Sequence, residues 1–150
     1  MRESLKVVGI GVIRLIDKGT GRVRLEKAWR NDIHSGLASG VCGELAGEAD
    51  VHVGKLEQCT LRDTDYNIIK TLSPPSTLEH RGYSDHDDVH AIWEDASSDE
   101  YTVGGVSIAS VYNTTTRAIA FKSGLNVSKT STDKLVVEWV INVYFKTPPW

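Results

Sequence analysis

The first part of the chain alternates in a way that places apolar side chains on both faces of one strand. In residues 5–16, one face carries Leu5, Val7, Ile13 and Leu15, and the other carries Val8, Ile10, Val12 and Ile16. Gly9 and Gly11 fall on the first face, where a missing side chain leaves room for a close neighbour or a bend. A turn-rich segment at 17–21 and an alternating segment at 23–29 follow, so the pattern predicts a β-hairpin.

The last third of the chain has the same two-sided character. Segments at 89–93, 101–112, 117–127 and 134–145 predict strands. The last of them carries an unbroken apolar stripe of Leu135, Val137, Trp139, Ile141, Val143 and Phe145. Its opposite face still holds Val136, Val140 and Tyr144, so we expect it to lie between two layers or against another subunit. Strands at short intervals with tight turns predict a mainly β, antiparallel sandwich or barrel-like single domain over residues 1–150.

Three segments depart from this strand pattern. Leu37, Val41, Cys42 and Leu45 recur at helical spacing among small residues and predict one short helix near residues 35–47. After a strand at 51–56, residues 62–88 are polar and turn-rich around a Ser-Pro-Pro-Ser centre, which predicts a long, contact-making loop. Residues 146–150 contain two prolines and predict either a stiff arm that presents Trp150 or a frayed end.

The charge of the chain changes the range of partners that we expect. Seventeen Lys and Arg residues stand against twenty Asp and Glu residues, a formal net charge of -3. The nearest approach to a basic cluster is Lys18, Arg22, Arg24, Lys27 and Arg30, which alternates with acidic residues and predicts a solvated strand face. We therefore expect no nucleic-acid partner. The apolar run at 5–16 is interrupted by charges and too short to span a bilayer, so we also expect no membrane association.

One stretch, residues 80–90, concentrates histidine and aspartate. On a strand, His86, Asp88 and His90 would point to one side, and two imidazoles with a carboxylate are a candidate metal-binding face. Adjacent aspartates next to Gly and Ser are, however, typical of a solvated loop, and a structural or interface role is favoured. We predict no metal, with these three residues as the candidates. Of the two cysteines, Cys42 is expected to pack as a small apolar residue, and the pairing of Cys42 with Cys59 stays open.

No pattern in the chain predicts an enzyme. The sequence lacks a nucleophile elbow, a Walker loop, a zinc-protease helix motif and a dinucleotide fingerprint. Gly104 and Gly105 lack the strand–loop–helix context of a phosphate cradle and predict a turn or close packing. We therefore predict no catalytic residue and no cofactor.

Two segments together resemble a known class of protein. The first follows the hairpin and includes Asn31, Ile33, Gly36 and Leu37, and the second is K-T-S-T-D-x-L-x-V-x-W-x-I at residues 129–141. This pair of end segments is similar to small β-rich structural proteins of tailed bacterial and archaeal viruses. The resemblance covers the two ends of the chain, whereas the middle has only Gly54 where such proteins often have a Gly-x-Gly strand.

The resemblance implies a virion component that is made in the host cytoplasm. Such proteins decorate and stabilise the capsid surface or belong to the tail, baseplate or fibre. It further implies a homo-oligomer, a trimer above all, with the major capsid protein or tail proteins as partners. The alternative from another class is a receptor-binding or ligand-binding β-module, in which Tyr66, Arg81 and Tyr83 would contact the partner. Trp150 is the further contact candidate under the assembly hypothesis.

Overall fold

The computed structural model describes residues 6–32 and 54–144, and these two ranges contain strands and turns but no helix. The strands are β1 (Lys6–Asp17), β2 (Val23–Asp32), β3 (Lys55–Arg62), β4 (Ile68–Leu72), β5 (Thr77–Gly82), β6 (His86–Asp95), β7 (Tyr101–Tyr112), β8 (Thr115–Lys129) and β9 (Asp133–Tyr144). They form two packed antiparallel sheets that do not close into a barrel, so the predicted sandwich is confirmed. The helix predicted near 35–47 lies outside the described residues.

The order of the strands explains why two of them are apolar on both faces. The five-stranded sheet has the order β2-β1-β9-β6-β5, and the four-stranded sheet has the order β4-β3-β7-β8. Strands β1 and β9 pair along their whole length, from Lys6 opposite Tyr144 to Asp17 opposite Asp133. They are therefore the interior strands of the larger sheet, with a neighbour on each side. Their inward face packs on the other sheet, and their outward face forms the centre of a broad surface.

The core between the sheets includes the predicted apolar stripe of β9 and inward-facing residues of both sheets. Its largest fully buried side chains include Trp93, Trp139, Ile13, Leu15, Leu61, Ile108 and Leu135. Each fully buried apolar side chain of this size contributes roughly 1.5–3 kcal/mol relative to an exposed one. Trp139 lies edge-on to Trp29 at a ring-centroid distance of 5.3 Å. Gly11 pairs with both tryptophans, and a Cβ at Gly11 would overlap the Trp29 indole, which confirms the expected close neighbour.

The prediction of one long loop at 62–88 was wrong. The segment contains β4, which pairs with β3 at the edge of the smaller sheet, and β5, which pairs with β6 at the edge of the larger one. Only Leu72 is buried in β4, and no residue of β5 is buried. Edge strands with one wet face have polar sequences that are hard to tell from loops. The two prolines lie in the short connection at 73–76 that carries the chain from one sheet to the other.

Of the two cysteines and the C-terminal arm, only Cys59 lies among the described residues. Cys59 is fully buried in the core, and this burial raises the pKa of its thiol far above the ordinary value. A raised pKa keeps the thiol protonated and unreactive. Cys42, the arm at residues 146–150 and its Trp150 lie outside the described residues.

Candidate functional site

The predicted metal-binding residues share one face of β6 but do not converge. His86, Asp88 and His90 project from the outer face of the five-stranded sheet, opposite Tyr144, Asn142 and Val140 of β9. Each engages a separate neighbour. Within residues 6–32 and 54–144, no three His, Cys, Asp or Glu side chains are grouped so that they could hold a metal ion.

His86 is held by aromatic stacking at one end of this face. Its ring stacks on Tyr83 at 4.5 Å and on Tyr144 at 4.9 Å between ring centroids. Nδ1 of His86 also lies 2.8 Å from a carboxylate oxygen of Asp85. The predicted contact residue Tyr83 therefore has an intramolecular role as one side of a stack, although about half of its surface remains exposed.

Asp88 is an ion-pair partner on the same face. Its carboxylate is almost completely buried and accepts a hydrogen bond of 2.9 Å from Nε of Arg81 on the neighbouring strand β5. The pair links the edge strand to β6. The predicted contact residue Arg81 is therefore occupied by a cross-strand ion pair, which raises the pKa of its guanidinium.

His90 belongs to a chain of charges that crosses the centre of the sheet. Its Nε2 lies 2.6 Å from Glu138, which also accepts a hydrogen bond from Arg14, and Arg14 in turn pairs with Glu26 at 2.7 Å. Burial by itself would raise the pKa of Glu138, but the hydrogen bonds from His90 and Arg14 outweigh it and lower the pKa. This network links strands β2, β1, β9 and β6.

The same outer face also carries apolar side chains around these charges. Ile10, Val12, Ile92 and Val140 lie on the outward side of β1, β6 and β9, and Ile10 is 43% exposed. Lys134 and Glu94 form a further cross-strand pair at 3.6 Å. The face thus combines partly exposed aliphatic groups with several acidic and basic groups that pair with one another.

A second polar region lies between the sheets at the end where β6 leads into β7. We call it the Asp95 cluster: Asp95, Tyr101, Lys70, Ser97 and Lys129. Tyr101 donates a hydrogen bond of 2.6 Å to Asp95, Lys70 donates one of 3.1 Å, and the backbone N–H of Ser97 donates one of 3.0 Å. Burial would raise the pKa of Asp95, but these hydrogen bonds outweigh it and hold the pKa well below its usual range.

Lys129 completes this cluster as a buried cation. Its side chain is almost entirely enclosed, and its ammonium donates to the backbone carbonyls of Ser97 and Asp99 at 2.6 and 2.8 Å. These contacts fix the connection between β6 and β7. Since its polar groups are buried and hydrogen-bonded to one another, the cluster is a stabilising element and offers little room for a ligand.

Two basic residues of the predicted solvated face, Arg24 and Lys27, also form hydrogen bonds across the edge of the sandwich. Arg24 on β2 donates to the buried carboxylate of Asp133 and to the carbonyl of Ser128, and Lys27 donates to the carbonyl of Leu125 on β8. The hydrogen bond from Arg24 lowers the pKa of Asp133. Arg22, Arg24 and Arg30 are exposed, as predicted for a solvated face. The cross-sheet contacts were not predicted, because alternation does not show that β2 lies beside the edge of the other sheet.

A cleft of about 260 Å³ opens on the outer side of the four-stranded sheet. We call it the Tyr66 cleft, and its walls are Asp63, Thr64, Tyr66, Gly104, Gly105, Ser123, Gly124, Leu125 and Asn126. The turn from β3 to β4 lies directly on Gly104, where a Cβ would come within 2.7 Å of the Thr64 nitrogen. A residue with a side chain would therefore push this turn away from the sheet.

The turn that bears Tyr66 is tightly organised around Asp63. The carboxylate of Asp63 accepts hydrogen bonds from the backbone N–H groups of Asp65 and Asn67 at 2.8 and 3.0 Å. The hydrogen bond from Asn67 is the main reason that the pKa of Asp63 is lowered. Arg62 donates to the carbonyl of Tyr66 at 3.0 Å, which fixes the residue from the other side.

Tyr66 itself has an unusual backbone conformation. Its φ is 66°, in the left-handed region that costs an L-residue other than glycine or asparagine roughly 1–2 kcal/mol. The side chain is 60% exposed, and its ring lies 5.9 Å from that of Phe121, which covers Gly105. The strained residue thus presents an aromatic ring at the rim of the cleft.

The four predicted contact residues are not brought together. Tyr66 lies at the cleft on the smaller sheet, Arg81 and Tyr83 lie at the β5–β6 hairpin of the larger sheet, and Trp150 is outside the described residues. Sequence reasoning missed the other cleft residues because they come from three separate segments. The signals that could have found them are the double glycine within β7 and the glycine within β8.

No family model, curated protein or solved structure matches the chain. Across residues 6–32 and 54–144, no helix has the length and apolar character needed to cross a membrane.

Proposed function

We propose that this chain is a non-enzymatic structural subunit of a virion, which assembles through the outer face of its five-stranded sheet and decorates the capsid surface. The observation that carries the proposal is the composition of that face. Ile10, Val12, Ile92 and Val140 form an aliphatic surface at the middle of the sheet, with Ile10 the most exposed among them. Partly exposed aliphatic groups that lie among already paired charges form a surface that another protein can cover.

The charges of this face support burial against another protein. Arg14 pairs with Glu26 and Glu138, Arg81 pairs with Asp88, and Lys134 pairs with Glu94. Burying an unpaired charge costs several kcal/mol, whereas a paired and hydrogen-bonded charge costs much less. A face on which most of these acidic groups already have basic partners can therefore be covered by another copy or by a shell protein at a lower cost.

The virion part of the proposal rests on the resemblance of residues 29–37 and 127–141 to small structural proteins of tailed viruses. Decoration of the capsid would use one face for the shell or for neighbouring copies and would leave the other sheet accessible. A role in the tail, baseplate or fibre is the second assignment within the same class. The genes that flank this one separate the two. A major capsid gene supports decoration, a tail tape-measure gene supports the tail, and a metabolic operon contradicts both.

Assembly is tested by the solution mass of the purified chain. We expect a homo-oligomer, with the trimer as the state that the resemblance implies, measured by light scattering coupled to gel filtration. Ile10→Glu should shift the mass toward the monomer because it places a charge at the centre of the face. The matched control is Ile68→Glu, since Ile68 is 60% exposed on β4 of the other sheet. A monomeric wild-type chain, or equal effects of the two variants, would contradict assembly through this face.

A further inference from the structure

The Tyr66 cleft has the features of a small-molecule site that the assembly role does not use. We propose that it binds a single neutral pyranose unit of a carbohydrate, with the sugar ring stacked on Tyr66 and its hydroxyl groups bound at the rim. The cleft lies on the four-stranded sheet, whereas the proposed assembly face lies on the five-stranded sheet. The two proposals can therefore succeed or fail independently.

The first argument is the aromatic surface. The ring of Tyr66 is 60% exposed and tilted by 36° relative to the ring of Phe121. An aromatic face carries partial negative charge, and the axial C–H groups of a pyranose carry partial positive charge. A flat aliphatic ring with polar edges therefore suits an aromatic side chain that stands at the rim of a largely apolar cleft with a few polar residues in its wall.

The second argument is the set of polar groups around the cleft. Asp63, Thr64, Ser123 and Asn126 line it and provide a carboxylate, two hydroxyls and an amide. Together they can accept from and donate to sugar hydroxyls, which act in both ways. The lowered pKa of Asp63 keeps the carboxylate ionised at neutral pH, and a carboxylate accepts strong hydrogen bonds from hydroxyl groups.

The charge of the cleft also selects among carbohydrates. Among its lining residues, Asp63 is the only one that carries a formal charge. A carboxylate at the wall repels sugars that bear their own carboxylate, sulfate or phosphate. The ligand class is therefore neutral hexoses rather than uronic or sialic acids.

The third argument is the backbone conformation at the rim. Glycine or asparagine would be the unstrained choice for a position with φ of 66°, yet the chain places a tyrosine there and leaves its ring largely in water. Residues held in such regions cluster at ligand-binding sites. The volume of the cleft, about 260 Å³, is somewhat below the ~300–1,000 Å³ of clefts that enclose drug-sized ligands, so the cleft suits a smaller molecule. One ring fits this scale.

The test is saturation-transfer NMR on the full chain with a defined set of probes. These are the methyl pyranosides of glucose, galactose, mannose and rhamnose, with methyl glucuronide as the matched anionic probe, all at millimolar concentration. We expect transfer to the ring C–H protons of at least one neutral glycoside and several-fold weaker transfer to the glucuronide. No transfer to any neutral glycoside would overturn the proposal, and so would stronger transfer to the glucuronide.

Variants then assign the signal to the cleft. Tyr66→Asn should weaken binding at least about tenfold because it removes the stacking ring. Tyr66→Phe, which keeps the ring, should retain binding. The matched control is Tyr112→Ala, because Tyr112 is also exposed but lies at the far end of β7. Circular dichroism confirms that each variant is folded. Binding that survives Tyr66→Asn, or that is lost equally in Tyr112→Ala, would overturn the assignment.

Discussion

Strand β7 supports two polar regions that use the same residue types in opposite ways. At its start, Tyr101 points its hydroxyl into the Asp95 cluster, where it donates to a buried carboxylate. A few residues later, Gly104 and Gly105 form part of the Tyr66 cleft, where another tyrosine stands in water in a strained conformation. In the first region the tyrosine hydroxyl is bonded to a buried acceptor, whereas in the second the tyrosine is 60% exposed.

The aspartates of the two regions show the same contrast. Asp95 is bound by a hydroxyl, an ammonium and a backbone N–H, and little of its surface is exposed. Asp63 is fixed by the backbone of its own turn and lies on the wall of an open cleft. Buried polar groups with complete hydrogen bonding stabilise a fold, and exposed polar groups held in place are available to a ligand. Stability and binding should therefore respond to different substitutions.

The largest expected effect is acid destabilisation of the buried carboxylates. The pKa values of Asp95 and Asp133 lie well below the usual range in the folded chain. Below about pH 4, both aspartates become protonated in the unfolded chain but stay ionised in the folded chain. The unfolded state then binds more protons, so the free energy of unfolding should fall as the pH is lowered. Urea denaturation from pH 7 to 2 measures this slope. Asp133→Asn should flatten it, and an unchanged slope would contradict the structural role of Asp133.

The next effect is the loss of the Asp95 cluster in Asp95→Ala. The substitution removes the acceptor of the Tyr101 hydroxyl and of the Ser97 backbone N–H, and one of the three acceptors of Lys70. We expect a loss of about 3 kcal/mol in the free energy of unfolding, measured by urea denaturation. Asp65→Ala is the control, because Asp65 is exposed in the β3–β4 turn, and it should change stability by less than about 0.5 kcal/mol. Equal effects of both variants would contradict the distinction between the two regions.

A smaller loss of stability is expected from a substitution at Gly104, where the β3–β4 turn lies on the four-stranded sheet. Gly104→Ala should destabilise the chain by about 1–3 kcal/mol, since its Cβ would meet the backbone of Asp63 and Thr64. The same displacement should move Tyr66 and weaken any binding at the cleft. Gly82→Ala is the control, because a Cβ there makes only an ordinary contact with Asp87. Thermal unfolding measures the stability of the two variants. If Gly104→Ala is as stable as the control, the β3–β4 turn is not packed on Gly104 as described.

The sequence predicts the centre of the fold better than its margins. The stripe of β9 from Leu135 to Ile141 is buried as expected, because an interior strand has one face in the core whatever surrounds it. Strands β4 and β5 were missed because an edge strand buries few side chains and its polar residues are also those of loops. The interface roles of Arg81, Tyr83 and Trp150 stay predictions.

The Asp95 cluster and the Tyr66 cleft could not be predicted from the sequence for a different reason. Asp95 meets Lys70 because β4, at the edge of the smaller sheet, packs near the end of β6, an interior strand of the larger sheet. Alternation along a strand carries no information about the opposite sheet. The cleft likewise joins the β3–β4 turn to bulged parts of β7 and β8. The expected close packing at Gly104 was the one local signal, and it did not identify the turn that approaches it.

The smallest expected change in stability comes from Tyr66→Asn, and it distinguishes the Tyr66 cleft most clearly from the Asp95 cluster. Tyr66→Asn should leave the free energy of unfolding unchanged or raise it by up to about 1 kcal/mol, because asparagine accepts the left-handed conformation that tyrosine resists. The loss of the contact with Phe121 works in the opposite direction, but the exposed Tyr66 ring buries little area. Urea denaturation measures the difference, and Tyr66→Phe, which retains both the strain and the ring, should match the wild type. Destabilisation by about 1 kcal/mol or more in Tyr66→Asn would mean that the ring stabilises the sheet, and the tyrosine would then resemble Tyr101 rather than a residue kept for contact with a ligand.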